Sequence, residues 1–475
     1  MANVEDELRQ RLSFLREKQK KYYYPGTDSD EEGLVESVYL HLKKVFPWAS
    51  SCDASMVCTQ TLNECSFEVC ELADYLVNVR LEATLPPLKV KPALEEKVSV
   101  RWCRKPCIKI VNNVVIVVDG SLGPKMSKYS IDFHHETVTS KDKSEYELAK
   151  DLMGDVDHLQ EFSDFHPETK ISMDQPWEFA EGYHKSIPLF LCKESKIKFH
   201  YKFDLDITNM VQMRVVDSHG KYAYKKLDQR VLEDWCPKKL DTPALIGTYN
   251  MMTDEEKEFF IQTFKNKSCS QELESCYTIV KKQIKERLDP INLSISCPIP
   301  TTHLGFVSED ESAVEINDHF KTWKDNKGIY APMKYTIDVG GLSSYPEDER
   351  MDQECYSRTA MKRQGMGNPP KGYSFIPFCR KVRNVNRDLA LCIDEKSGTF
   401  LKIDFDNSRN FDGKNATGQK EEDLEKVLKV EDEDREEVVD LDPVSKNTKM
   451  WKLAILMYNK MEIVYDGTKA KIIKE

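Results

Sequence analysis

The stretch from Lys196 to Ile207 is apolar at every second position: Ile197, Phe199, Tyr201, Phe203, Leu205 and Ile207. Lys198, His200, Lys202, Asp204 and Asp206 fill the places between. Side chains of a strand point alternately to opposite faces, so the pattern predicts a long strand with one buried and one wet face. A helix would scatter the same groups around its circumference. One dry face per strand is the habit of antiparallel sheets packed on a core, whereas buried parallel strands read as unbroken apolar runs.

The same period recurs along the chain. Tyr75, Val77, Val79, Leu81, Ala83 and Leu85 alternate with Leu76, Asn78, Arg80, Glu82 and Thr84, and Pro86-Pro87 closes that strand. Ile108–Val118 is a nearly continuous β-branched run, ended by the turn signal Asp119-Gly120. Ile187–Cys192 is a short apolar run, and Met210–Val216 continues the sheet. Further strands are expected at Ile291–Ser296, His303–Val307, Lys334–Val339, Tyr373–Phe378, Leu389–Ile393 and Phe400–Phe405. In the last strand Leu453, Ile455, Met457, Met461, Ile463 and Tyr465 share one face, interrupted by Asn459.

Helical signals are few. Leu8, Leu12 and Leu15 stand at helical spacing in a charged arm, and Leu34–Val45 could form a second short helix. Ser144–Gly154 reads as a helix. Thr253-Asp-Glu-Glu256 is a capping box opening a helix over Asp254–Lys265 that carries Phe259, Phe260 and Phe264. Asp155–Trp177, Ser308–Asp318 and Ser343–Gly367 read as polar loops, and Leu240–Asn250 as a connector.

At 475 residues the chain is too long for one ordinary core. The pattern divides it into an N-terminal arm at 1–50, a first sandwich at 51–240 and a second at 241–475, opened by the linker helix. About eight strands per half fits a jelly roll. The expected fold class is therefore all-β: two tandem antiparallel jelly-roll β-sandwiches with short helices in the arm, linker and loops.

Charge changes this picture little. The net charge is −12, and residues 421–442 hold twelve acids against three bases, Lys426, Lys429 and Arg435. That run is a solvated loop or a docking surface for a basic partner. The rest of the chain is close to neutral, which is unlike a nucleic-acid binder with its basic face. No run of about 18 apolar residues offers a membrane span, and the first residues lack an apolar signal core. The fourteen cysteines include no Cys-x-x-Cys pair and read as reduced thiols, with zinc binding and late disulfides as lesser alternatives. The sequons at Asn266, Asn292 and Asn415 are then expected to go unused.

Several stretches resemble the major capsid proteins of the nucleocytoplasmic large DNA viruses. Ala73-Asp-Tyr-Leu-Val-Asn-Val-Arg-Leu-Glu-Ala-Thr-Leu-Pro-Pro-Leu88 resembles that family's early strand, in which Gly-Asp-Leu leads to Leu-Pro; Ala73 replaces the glycine. Val114–Gly120 is similar to the strand and turn before the family's first long insertion. Ile187-Pro-Leu-Phe-Leu191 with the strand after it is similar to the family's Ile-Pro-Leu-Pro-Phe-Phe-Phe segment. Thr248–Glu256 with Phe259-Phe260 resembles its linker motif, and Pro298–Val307 its His-Pro-Val-x-x-Leu-x-Trp-Val strand. Pro369–Phe375 resembles its Gly-x-Tyr-Ser-Phe strand, and Trp451–Val464, with Tyr458-Asn459, its closing strand. The matches run in family order over residues 66–470. The family's Gln-Pro-Ser-Gly and Asn-Phe-Ser are missing around Asn384–Asp388, and the N-terminal arm is not typical.

The resemblance implies a double jelly roll that trimerises into pseudo-hexagonal capsomers of an icosahedral shell. It implies contacts with neighbouring capsomers and minor capsid proteins, and an inward-facing arm that could reach an inner membrane or inner shell. It implies no direct contact with nucleic acid, residence in the virion and assembly in host cytoplasm. A minor capsid or scaffold protein of the same lineage is the alternative. Contacts spread over many residues define no small site.

No chemistry-bearing motif argues for an enzyme. His134-His135-Glu136, read as part of a strand, would point to opposite faces and could not chelate together. Asp404, Asp406 and Asp412-Gly413 hint at a calcium loop, but Arg409 stands where such a loop needs glycine. Gly365-Met-Gly367 lacks a third glycine, and there is no phosphate-binding Gly-x-x-x-x-Gly-Lys-Ser/Thr. Catalytic, metal-binding and cofactor-binding residues are therefore expected to be none. A different class of reading is a carbohydrate-binding β-sandwich, with Trp48, Trp177, Trp235 and Trp323 as its exposed aromatics.

Overall fold

The computed structural model describes residues 50–60, 64–70, 73–181, 185–216, 220–255, 257–258, 269–284, 291–293, 301–321, 333–339, 342–343, 353–370, 372–378, 399–405 and 450–473. Nearly all of the N-terminal arm, most of the linker helix, the Leu389–Ile393 strand, the sequons at Asn266 and Asn415 and the acidic run at 421–442 lie outside them, while Asn292 stands in strand Ile291–Leu293.

Ile197–Phe203 forms the strand its alternation demands: Ile197, Phe199 and Tyr201 are buried, and Lys202 is exposed. It stands between Glu64–Glu68 and Val111–Val118, with Val57–Gln60 and Ser121–Ser127 at the edges of the sheet. A second sheet runs in the order Ser50–Ser55, Ala244–Met251, Tyr75–Leu85 and Thr169–Asp174, with Ile187–Pro188 added to Tyr75–Leu85. Every pairing in both sheets is antiparallel. Phe67, Ile116, Phe199 and Tyr201 of one sheet share a core with Leu76, Val79, Leu81, Leu85 and Tyr249 of the other. Trp177 and Phe179 wedge between them, with Trp177 5.9 Å from the Phe199 ring. Each such large side chain contributes about 1.5–3 kcal/mol through burial. A small third sheet pairs Val98–Trp102, Val211–Val216 and Tyr222–Lys226.

The remaining strands form a second pair of sheets. One runs Cys269–Ile284, Met450–Tyr465, Thr301–Asp310, Tyr373–Pro377, with Ala470–Ile473 on Met450–Tyr465. The other runs Ile291–Leu293, Thr399–Phe405, Met333–Val339, Leu342–Ser343. These ladders are also antiparallel.

Five readings of the sequence change. Leu240–Asn250 is not a connector: Ala244–Met251 is a strand bonded to both Ser50–Ser55 and Tyr75–Leu85. The alternation of Tyr75–Leu85 slips by one residue. Opposite Thr248 and Tyr249 the register skips Val77, so Leu76 rather than Val77 turns to the core. The run from Ile108 opens as a helical turn, Pro106–Ile110, because Pro106 fixes a helix start after the left-handed Lys105. The Ile197 strand stops at Phe203, and Asp206 instead caps a turn at Ile207–Asn209 by accepting the Thr208 N–H at 2.9 Å. Finally, the expected polar loops hold ordered elements, among them Thr169–Asp174, Glu311–Glu315 and Gln353–Arg363.

Candidate functional site

The largest concentration of buried charge lies where the two halves meet, and helix Lys128–Thr137 is at its centre. Ser127 caps the helix reciprocally with Ser130, and its hydroxyl also meets Thr278 Oγ1 of the second half at 2.7 Å. Above the helix, Tyr129 and Phe133 pack against Cys276, Tyr373, Leu456 and Tyr458. Gly305 allows this approach: a Cβ there would sit 3.0 Å from the Phe133 ring.

The polar residues of the same helix are equally enclosed. Asp132 accepts from Lys105 Nζ at 2.5 Å and from the Tyr373 hydroxyl at 2.6 Å. Glu136 accepts from Lys105 and, at 3.0 Å, from the Tyr146 hydroxyl. The Lys105, Asp132 and Glu136 side chains are only 7%, 0% and 4% exposed. Burial pulls the Lys105 ammonium down, but Asp132 and Glu136 together hold it above its ordinary value. Burial pushes the Asp132 carboxyl up to about 6 against the pull of Lys105.

A second cluster lies alongside. Glu178 accepts from Lys460 at 2.6 and 2.7 Å, from Lys185 at 3.2 Å and from the Glu274 N–H at 2.9 Å. Burial opposes ionisation of Glu178, yet Lys460 and Lys185 hold its carboxyl below the usual range. A third set of contacts joins residues 317–319 to the first half. The Asn317 amide donates to Thr208 O and Val211 O at 2.7 and 2.6 Å, Arg101 pairs with Asp318 at 3.2 Å, and His319 Nε2 meets Asn209 O at 2.9 Å.

Apolar contacts cross the same boundary. Leu273, Met461, Ile463, Tyr465, Ala470 and Ile472 belong to the core cluster of the first half. The two halves therefore share one continuous core bordered by the ion pairs Lys105–Asp132, Lys105–Glu136, Lys460–Glu178 and Arg101–Asp318. Such a seam can hold an angle between two sandwiches.

The residues weighed for metal, calcium, nucleotide or carbohydrate binding lie in separate places. His134, His135 and Glu136 lie on the helix, not on a strand. Glu136 is held by Lys105, and His135 stacks on Tyr146 at 4.8 Å. Asp404 lies in strand Thr399–Phe405, and Asp406 and Asp412 lie outside the described residues. Gly365 and Gly367 belong to the turn after Gln353–Arg363, with the Gly367 N–H donating to Thr137 O. Trp177 is a core residue only 2% exposed, Trp235 stands 57% exposed, and Trp48 and Trp323 are outside the described residues. Sequence reasoning missed Lys105, Asp132, Glu178 and Lys460, whose partners stand far away along the chain. The local signal was the pair of lysines, Lys452 and Lys460, within the apolar closing strand.

On the outside, helix Lys143–Met153 borders an open groove of about 850 Å³ lined by Val77, Val138, Leu148, Leu152, Met173 and acidic neighbours. Leu148 is 60% and Leu152 46% exposed.

No protein-family model matches the sequence, and no curated protein does. Solved structures do. The capsid of PBCV-1, in a quasi-atomic description, aligns with a TM-score of 0.61 at 11% identity, over 90% of this chain and 97% of that one. PBCV-1 VP54, fitted into a reconstruction of the virophage Sputnik, gives 0.59 at 10% over the same shares. The Faustovirus major capsid protein gives 0.57 at 9%, over 97% of this chain and 98% of its own. At these identities the likeness is one of fold: two antiparallel sandwiches in tandem, joined across a packed seam, give this chain the double jelly-roll architecture of viral major capsid proteins.

Proposed function

We propose that the protein is a major capsid protein of a large icosahedral DNA virus, with a structural rather than a catalytic role. One observation supports this reading: the likeness of fold to capsid subunits covers nine-tenths or more of the chain and almost the whole length of those subunits. Two sandwiches held at a set angle make one subunit present two sides of a hexagon, so three copies would close a pseudo-hexagonal capsomer. The exposed apolar groups at Leu148, Leu152, Phe165 and Trp235 would serve contacts between copies or with minor capsid proteins. The arm at 1–50 would face inward, toward a membrane or inner shell. The first sandwich would run from 51 to Met251, rather than to 240, because its sheet includes Ala244–Met251. Virion residence and assembly in host cytoplasm belong to the same reading.

Size-exclusion chromatography with light scattering tests it. A particle of three times the 55.1 kDa chain mass is expected, with flat or curved arrays at high concentration. A monomer at all concentrations would sink the proposal.

A further inference from the structure

The groove beside helix Lys143–Met153 is apolar at Leu148 and Leu152, both exposed. Its lining also carries four acids, Asp142, Glu145, Asp174 and Glu181, against one lysine, Lys141. Gln175 and Trp177 belong to the same lining and are buried. Yet neither amide atom of Gln175 nor Trp177 Nε1 has a hydrogen-bond partner among the described residues. Buried polar groups in a complete fold are nearly always bonded, so the groove has the character of a surface that lacks its cover.

The chain itself carries a segment of matching chemistry. From Leu8 to Lys21 the arm holds six bases, Arg9, Arg11, Arg16, Lys18, Lys20 and Lys21, against Glu17 alone. At helical spacing Leu8, Leu12 and Leu15 make one stripe, with Arg11 and Lys18 along one side and Arg9 and Arg16 along the other. A leucine stripe between basic flanks complements an apolar groove lined with acids. The arm also ends close by. Asp53, Thr248 and Asn78 stand in one row across the sheet that begins at Ser50, and Asn78 lines the groove. That row spans about 10 Å, whereas residues 22–49 reach about 70 Å even with 34–45 helical.

We propose that this groove is the docking site of the chain's own arm, which lays residues 8–21 over Leu148 and Leu152 as a basic amphipathic helix in the unassembled subunit. Leu8, Leu12 and Leu15 cover the exposed leucines, and the basic flanks meet the acids of the lining. The seated arm keeps apolar surface from premature contact. Its release uncovers Leu148 and Leu152 and frees the arm to turn inward. The docking stands whether or not the chain builds a shell, so a failure to trimerise would leave it untouched.

A carbodiimide joins a lysine directly to a carboxylate that it touches, and so tests the seat on the full, folded chain. Equal parts of unlabelled and isotope-labelled protein are linked, digested and read by mass spectrometry. Links from Lys18, Lys20 or Lys21 to Glu145, Asp174 or Glu181, within one chain, are expected. Leu148→Arg with Leu152→Arg, at exposed positions, should abolish them. So should Leu8→Asp with Leu12→Asp, which changes only the arm. Leu122→Arg, at another exposed position, should leave them in place. Links that survive either double variant overturn the proposal. So do arm lysines joined instead to the acidic run at 421–442, links that join labelled to unlabelled chains, and the absence of any link.

Discussion

The interior of the first sandwich and the seam beside it are equally dry, yet built of opposite materials. Inside the sandwich, Phe67, Phe179 and Phe199 lie in an apolar cluster, with Phe179 and Phe199 ring against ring. At the seam, Lys105, Asp132 and Glu136 are buried to the same degree but meet charge and hydroxyl. Apolar packing is undirected, so many arrangements of two greasy faces have similar energy. A buried carboxylate tolerates one arrangement, because any slip leaves it unpaired. The difference teaches a division of labour: the sandwich interiors supply stability, and the seam supplies the angle between the halves. Under the proposed capsid function, that angle would set the outline of the subunit.

Truncation experiments separate the two materials most sharply. Phe199→Ala should cost about 3–5 kcal/mol in urea unfolding, and no second substitution nearby should restore it. Lys105→Met should cost a similar amount, about 3–5 kcal/mol, by stranding Asp132 and Glu136. Here the comparison can break. Adding Asp132→Asn and Glu136→Gln to Lys105→Met removes the stranded charges, so the triple variant should recover most of the loss. If the triple variant is as unstable as the single one, the seam is merely another core.

Acid gives a smaller effect, with one sign for two buried histidines of the seam and the opposite sign for Asp132. Burial, then Lys105 and neighbouring cations, hold His135 at about 3; burial, then Lys109, hold His319 at about 3. Both rings are neutral in the fold, while the unfolded chain takes up their protons near pH 6.5. Their stabilisation is complete above about pH 6.5 and is lost as pH falls. Asp132, raised to about 6, has the reverse sign: the fold favours its proton, so its contribution fades as pH rises through 6. The net loss between pH 6.5 and 4.5 should be roughly 2–3 kcal/mol. His135→Phe, which keeps the stack on Tyr146, should flatten the slope of stability against pH; an unchanged slope would refute the assignment.

The smallest effect is at the helix start. Ser127→Ala removes both the cap and the bond to Thr278, and should lower stability by about 1.5–2 kcal/mol in thermal unfolding, more than the loss of a cap alone. A loss no larger than that of an exposed cap would show that the Thr278 contact adds nothing.

What could be read from the sequence follows from the number of wet faces. Ile197–Phe203 has one, and its alternation announces it. Helix Lys128–Thr137 has almost none: Tyr129 through Phe133 are all buried, and so are His135 to Thr137. Without a solvent side it shows no helical period, and Tyr129, Ile131 and Phe133 even mimic a strand. Cys269–Ile284 escaped for a different reason. It pairs with Met450–Tyr465 along sixteen residues, but Glu272, Glu274, Lys281 and Lys282 dilute its apolar signal. The seam ions were invisible because Asp132 and Tyr373 are 241 positions apart, and Glu178 and Lys460 282 apart. Only a fold can bring such residues together. The capsid-like motifs, by contrast, sat on local strands and turns, and so could be recognised before any coordinates.

Tyr465, Ala470 and Ile472 finish the interior of a sandwich whose own strands were laid down long before them. On the ribosome, that first unit must wait with an open flank until residues 465–472 emerge. A nascent chain cut short by an early stop codon would expose that flank, marking itself for chaperones or proteases. Synthesis through Ile472 would thus be checked by the folding of the first sandwich itself.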